Sequence, residues 1–134
     1  MDLADDPVLL LGRPMKDPDV LAWLARIDPR PKFTSDGASY DWSSPKHGID
    51  VQAHRDSKVI TTVFLSSGPK GRYAGALPAG LAWTLTRDEV RGRLAAPPAF
   101  TGPAHDTWDT ESHRLVVRYG PDGHPVRVSV TTAF

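Results

Sequence analysis

The feature that most restricts how this chain can fold is an internal repeat. The segment Asp17-Pro18-Asp19-Val20-Leu21-Ala22-Trp23-Leu24 aligns with Arg87-Asp88-Glu89-Val90-Arg91-Gly92-Arg93-Leu94, so that Val20 and Leu24 fall on Val90 and Leu94. Prolines follow each segment, Pro29 and Pro31 in one and Pro97 and Pro98 in the other. Further on, Trp42 falls on Trp108, His47 on His113, Ile49 on Leu115, Val51 on Val117 and Asp56 on Asp122. After one inserted residue, Val59 falls on Val126 and Val63 on Val130. One pattern carried twice predicts one structural unit built twice.

Each unit reads as a helix followed by strands. Thr86-Arg87-Asp88-Glu89 is a capping box, with Leu85 and Val90 placed for a hydrophobic staple. Asp17 caps the first helix, and Pro18 suits a first turn that needs no N–H from it. Val20, Leu21, Leu24 and Ile27 then form its apolar stripe, which leaves Trp23 off the stripe and half exposed. The strands follow from period-2 alternation. Tyr40 and Trp42 alternate with Ser39, Asp41 and Ser43. Ile49, Val51 and Ala53 alternate with Asp50, Gln52 and His54. Leu115, Val117 and Tyr119 alternate with Arg114, Val116 and Arg118, and Val126, Val128 and Val130 with Arg127 and Ser129. Asp36-Gly37, Arg55-Asp56-Ser57-Lys58 and Pro121-Asp122-Gly123 read as turns. The fold class is therefore α+β: two tandem helix-plus-antiparallel-strand repeats, forming one curved antiparallel sheet with the helices on one face. The first repeat covers residues 8–66 and the second residues 81–134 of a single domain. Residues 67–80, rich in glycine and proline, are a connector with room for a hairpin around Tyr73 to Gly80.

Composition excludes several function classes. Sixteen basic and sixteen acidic residues cancel, and no basic stripe marks a nucleic-acid binder. There is no cysteine, hence no disulfide framework, thiolate nucleophile or cysteine-ligated zinc. No apolar run nears the roughly 20 residues of a membrane span. The acidic start, Met1 to Pro7, lacks the basic and apolar stretches of a signal peptide, so the cytoplasm is the expected compartment.

The run Leu81 to Val130 resembles the unit of the BamE (SmpA/OmlA) and beta-lactamase-inhibitor-protein-like folds. Its elements are a capped helix with an acid-Val-x-x-x-Leu core, a proline exit, a tryptophan strand, an alternating strand, an Asp-Gly turn and a valine strand. The resemblance extends from Leu10 to Val130 and implies two such units whose strands join into one sheet. The connector Tyr73-Ala74-Gly75-Ala76-Leu77-Pro78-Ala79-Gly80-Leu81 is similar to a segment of small bacterial proteins of this architecture, some of them like immunity proteins that neutralise a toxin. The chain departs from both families: it lacks the disulfides of the secreted inhibitors and the anchor cysteine of the lipoproteins.

The residues do not assemble a recognisable catalytic or metal motif. No two of the five histidines stand at helical ligand spacing. His47 and His113, both just ahead of an alternating strand, are best explained by a hydrogen bond that closes the strand's start. His105-Asp106, with Asp109 and Glu111 nearby, is the one acid–base candidate, and it falls in a Gly/Pro-rich stretch. Ser43-Ser44, Ser66-Ser67 and Ser35 have no Gly-x-Ser-x-Gly elbow. Trp42 and Trp108 fall on the inward face and read as core.

What remains is the outward face of the sheet. Alternation assigns it Asp50, Gln52, His54, Ile60, Thr62 and Phe64 from the first repeat, and Arg114, Arg118, Arg127 and Ser129 from the second. Aromatic and arginine side chains dominate binding hot spots. The chain is accordingly expected to be a protein-binding module: an immunity or inhibitor protein that neutralises a toxin or enzyme by occluding it, using Asp50, Gln52, His54, Ile60, Phe64, Arg114, Arg118 and Arg127. No catalytic residue, cofactor, metal, nucleic acid or membrane partner is expected. A structural or assembly subunit and a small enzyme with an unrecognised site are the alternatives.

Overall fold

Local capping chemistry starts both helices in the computed structural model, which describes residues 6–35 and 37–132. The Asp17 carboxylate accepts the N–H of Asp19 at 2.8 Å and begins α1, Pro18–Ile27. At α2, Arg87–Arg93, the Thr86 hydroxyl accepts from the Glu89 N–H and the Glu89 carboxylate accepts from the Thr86 N–H. The capping box thus satisfies two N–H groups that the first turn would leave unpaired. Leu85 and Val90, the staple pair, are both buried.

Nine strands form one antiparallel sheet: β1 (Lys32–Ser35), β2 (Ser39–Ser44), β3 (Ile49–His54), β4 (Ile60–Gly68), β5 (Gly71–Arg72), β6 (Phe100–Thr101), β7 (His105–Asp109), β8 (Arg114–Tyr119) and β9 (Pro125–Thr131). Their order is β1-β2-β3-β4-β9-β8-β7-β6, with β5 paired to the far end of β4. The chain is therefore α+β. The two halves meet at the β4–β9 seam, where Val63 faces Val130. Buried side chains alternate along the central strands: Val51, Val63, Leu65, Leu115, Val117, Val128 and Val130 belong to one cluster with Trp42 and Trp108. Val20, Trp23 and Leu24 of α1 and Val90 of α2 are in the same cluster.

Several expectations are corrected. In α1, Trp23 is 5% exposed and Leu21 42%. The stripe runs Val20, Trp23, Leu24, Ile27. It fits a 3.6-residue period as well as the expected one does, and it buries the larger ring. The hairpin in the connector lies earlier than expected, where Gly68 pairs with Gly71, while Tyr73 and Leu77 are buried. The Asp36-Gly37 turn falls on Asp36, outside the described residues, as do the last two residues of the second repeat.

The ladder register also revises the alignment of the middle strands. Trp42 pairs with Val51, whereas Trp108 pairs with Leu115. Counted from each tryptophan along its ladder, Val51 thus stands at the position of Leu115 rather than of Val117. The connection after the first tryptophan strand runs through a 3-10 turn, Pro45–His47, whereas Thr110 and His113 are joined directly by a backbone hydrogen bond of 2.9 Å. A shift of two residues keeps every side chain on its face, which is why alternation alone did not detect it.

A candidate binding face

The residues between the buried ones line up across the strands in rows. One row is Ser43–Asp50–Phe64–Ser129–Val116–Thr107–Phe100, in which Thr107 is itself buried. On one side of it lies Asp41–Gln52–Thr62–Thr131–Arg114–Asp109, and on the other Ser66–Arg127–Arg118–His105. Asp50, Gln52, Phe64 and Arg114 are half-buried there, and His54, Arg118 and Arg127 are exposed.

Ile60 is the exception among the residues expected on this face, since it is fully buried. Gln52 pairs with Thr62 but Ala53 pairs with Ile60, so Thr61 is an extra residue on β4. This bulge reverses the alternation, leaving Thr62 and Phe64 outward and turning Ile60 inward. His54 is exposed, but its Nδ1 accepts the N–H groups of Asp56 and Ser57 at 3.2 and 3.3 Å and is occupied in the turn.

The charges on the face differ in how far they are neutralised. Arg114 is closed off by Asp109, with Nε 2.6 Å from Oδ1, and this hydrogen bond holds the Asp109 carboxyl below its usual range. The Ser43 hydroxyl donates to Asp50. The Arg127 guanidinium lies over the Phe64 ring, 4.4 Å from its centroid. Beside that stack a cleft of about 200 Å³ reaches Asp41 and Asp50. The Oδ1 atom of Asp41 is buried with no hydrogen-bond partner.

Asp106, the acid–base candidate, is a structural anchor. It points to the buried side and is 0% exposed. Its carboxylate accepts two hydrogen bonds from Arg87, two from Arg91, and one each from Thr101 and Tyr119. Burial pushes its pKa up, but these donors outweigh burial and hold the carboxyl far below its usual range. Tyr119 is pushed up by its own burial and by donating to this carboxylate. Such a group has no free lone pair for a substrate proton. Its neighbour His105 faces outward, stacked on Phe100 with centroids 5.5 Å apart.

The two histidines near strand starts each meet a hydroxyl. Ser44 Oγ is 2.8 Å from His47 Nδ1, and Thr110 Oγ1 is 3.2 Å from His113 Nδ1. Burial lowers the pKa of His113. Asp28, Ser44 and His47 are the residue types of a hydrolytic triad in the wrong order. The Ser44 hydroxyl is buried and donates its proton to Asp28 at 2.6 Å rather than to His47, so Oγ is not presented to a substrate. The cluster ties the end of α1 to the end of β2. Among the described residues no three His, Asp or Glu side chains are grouped to hold a metal, and no helix is long and apolar enough to cross a membrane.

Sequence reasoning set Val116 opposite the core with Arg114 and Arg118 but left it out of the binding set, and it missed Thr107, His105 and Phe100 as members of the outward side. Val116 was legible from alternation on β8; the other three depended on where β6 and β7 pair. Compared with models of protein families, with curated proteins and with solved structures, the chain matches none.

Proposed function

We propose that this protein is a protein-binding module that docks a partner on the outward face of its sheet and acts by covering it, as an immunity or inhibitor protein does, rather than by turnover. The observation that carries this reading is the Phe64–Arg127 stack on adjacent strands at the centre of the sheet. An aromatic ring and a guanidinium, stacked between two neighbouring rows of the outward face, have the composition of a binding hot spot.

The fold reading that accompanies it is a duplication. Both halves run helix then strands, both helices cover the same face, and the arrangement is that of the beta-lactamase-inhibitor-protein-like fold. It is supported by the mirrored strand order about the β4–β9 seam, by Trp42 and Trp108 on corresponding buried positions, and by the Ser44–His47 and Thr110–His113 contacts. A second reading, an assembly subunit, is favoured by Phe33 and Phe100, which are 48% and 60% exposed on the two edge strands β1 and β6.

The test is to capture the partner from the source organism and measure its affinity for Phe64→Ala, Arg118→Ala and Arg127→Ala after confirming that each folds. A hot-spot truncation of about 2 kcal/mol weakens binding roughly thirtyfold. Wild-type affinity in all three variants would remove the outward face as the site. Loss of binding in Phe33→Ser or Phe100→Ser alone would favour the assembly reading.

A further inference from the structure

We propose that the row Arg127–Arg118–His105 is the seat for an acidic segment of the partner protein. The proposal deepens the docking reading above and rests on it. Arg118 and Arg127 are direct cross-strand partners on β8 and β9, and His105 is the partner of Arg118 on the next strand. Three basic side chains thus stand side by side on the outward face, about 5 Å from one strand to the next. No described carboxylate lies within 4 Å of either guanidinium, while Arg114 on the same strand is closed by Asp109.

Like charges directly opposite each other on a sheet destabilise it. The folded protein therefore sets two like charges opposite each other with no ion pair to either among the described residues, and a bound anion would relieve the repulsion between them. Both ends of the row are held ready. Arg127 lies on Phe64, and His105 on Phe100, so less side-chain freedom is lost on binding. A guanidinium fork matches a carboxylate with two parallel hydrogen bonds. The rest of the face selects against a long phosphate backbone, because Asp41 and Asp50 occupy its β2–β3 side and the chain has no net charge. A short run of carboxylates crossing three strands suits the row.

If the pair serves binding at the expense of the free fold, Arg118→Gln should raise the melting temperature while weakening the interaction. A merely structural arginine would do the opposite.

The experiment titrates the full chain with a capped hexaglutamate peptide and follows backbone amide and arginine Nε–H signals. Hexalysine, inorganic phosphate and a single-stranded oligonucleotide serve as comparison probes. The expected result is saturable shifts centred on Arg118, Arg127 and His105 that fade as salt is raised. Arg118→Gln and Arg127→Gln should each weaken the peptide by about tenfold, and Arg118→Gln should melt higher than wild type. Shifts spread over the whole surface, equal or tighter binding of phosphate or the oligonucleotide, or an Arg118→Gln protein that melts lower with unchanged affinity would overturn the proposal. The two readings separate because the peptide is measured without the partner. A silent peptide removes this seat and leaves docking at Phe64 standing. A partner indifferent to Phe64 removes that docking and leaves the seat.

Discussion

Arg91 and Asp106 are joined by two parallel hydrogen bonds, Nε to Oδ2 at 3.0 Å and a terminal nitrogen to Oδ1 at 2.9 Å. They fasten α2 to β7 through a carboxylate that no water reaches. Arg87 grips the same carboxylate one helical turn earlier, so a helix of seven residues with a single buried apolar side chain is held chiefly by this cluster.

Asp106→Asn leaves two guanidiniums facing a neutral amide and is expected to cost about 3–5 kcal/mol, a large part of a small domain's stability. The folded pKa lies below the unfolded value of about 3.9. The contribution is therefore complete above that value and declines as pH falls through the folded pKa. Denaturant unfolding of wild type and variant should show a wide gap at neutral pH that narrows on acidification below about pH 4. A gap independent of pH would mean that packing, and not charge, holds α2.

The bulge at Thr61 predicts opposite behaviour from two neighbouring apolar residues. Ile60→Ala should destabilise by about 2–5 kcal/mol, because Ile60 is fully enclosed. Phe64→Ala should cost far less, because its ring is half-exposed and rests on Arg127. Thermal melts of the two variants decide the matter, and equal losses would show that both residues are core.

Gly71 predicts sensitivity in the β4–β5 hairpin. A Cβ there would overlap the backbone carbonyls of Lys46 and Pro45. The β4–β5 hairpin and the 3-10 turn Pro45–His47 touch backbone to backbone, so neither can give by a side-chain rotation. Gly71→Ala should lower stability by about 1–3 kcal/mol, whereas Gly37→Ala, with open space around it, should not. Comparable denaturation midpoints for the two would mean the hairpin moves freely.

Much of this architecture follows from local chemistry in the sequence. The Asp17 cap and the Thr86–Glu89 box set the helix starts because they involve residues within one turn of each other. Alternation located the central strands and correctly turned Trp42, Val51, Val63, Leu115 and Val130 inward, because a pleated strand reverses its side chain at every residue. Asp50, Gln52, Phe64, Arg114, Arg118 and Arg127 were placed on the outward side by the same reasoning.

What depended on pairing between distant segments was decided by the tertiary structure alone. Ile60 turned inward because one extra residue on β4 is visible only against its partner β3. Trp23 displaced Leu21 because two stripes fitted the helical period and only the surface packed against α1 could choose between them. Asp106 changed from an acid–base candidate to an anchor because Arg87 and Arg91 are brought to it from 19 and 15 residues away by the docking of α2. Arg118 and Arg127 lie on different strands, and their confrontation follows from the β8–β9 register. Caps and alternation are encoded within a few residues, whereas register, bulges and charge neutralisation depend on which strand lies alongside, a choice made by the packing of the whole core.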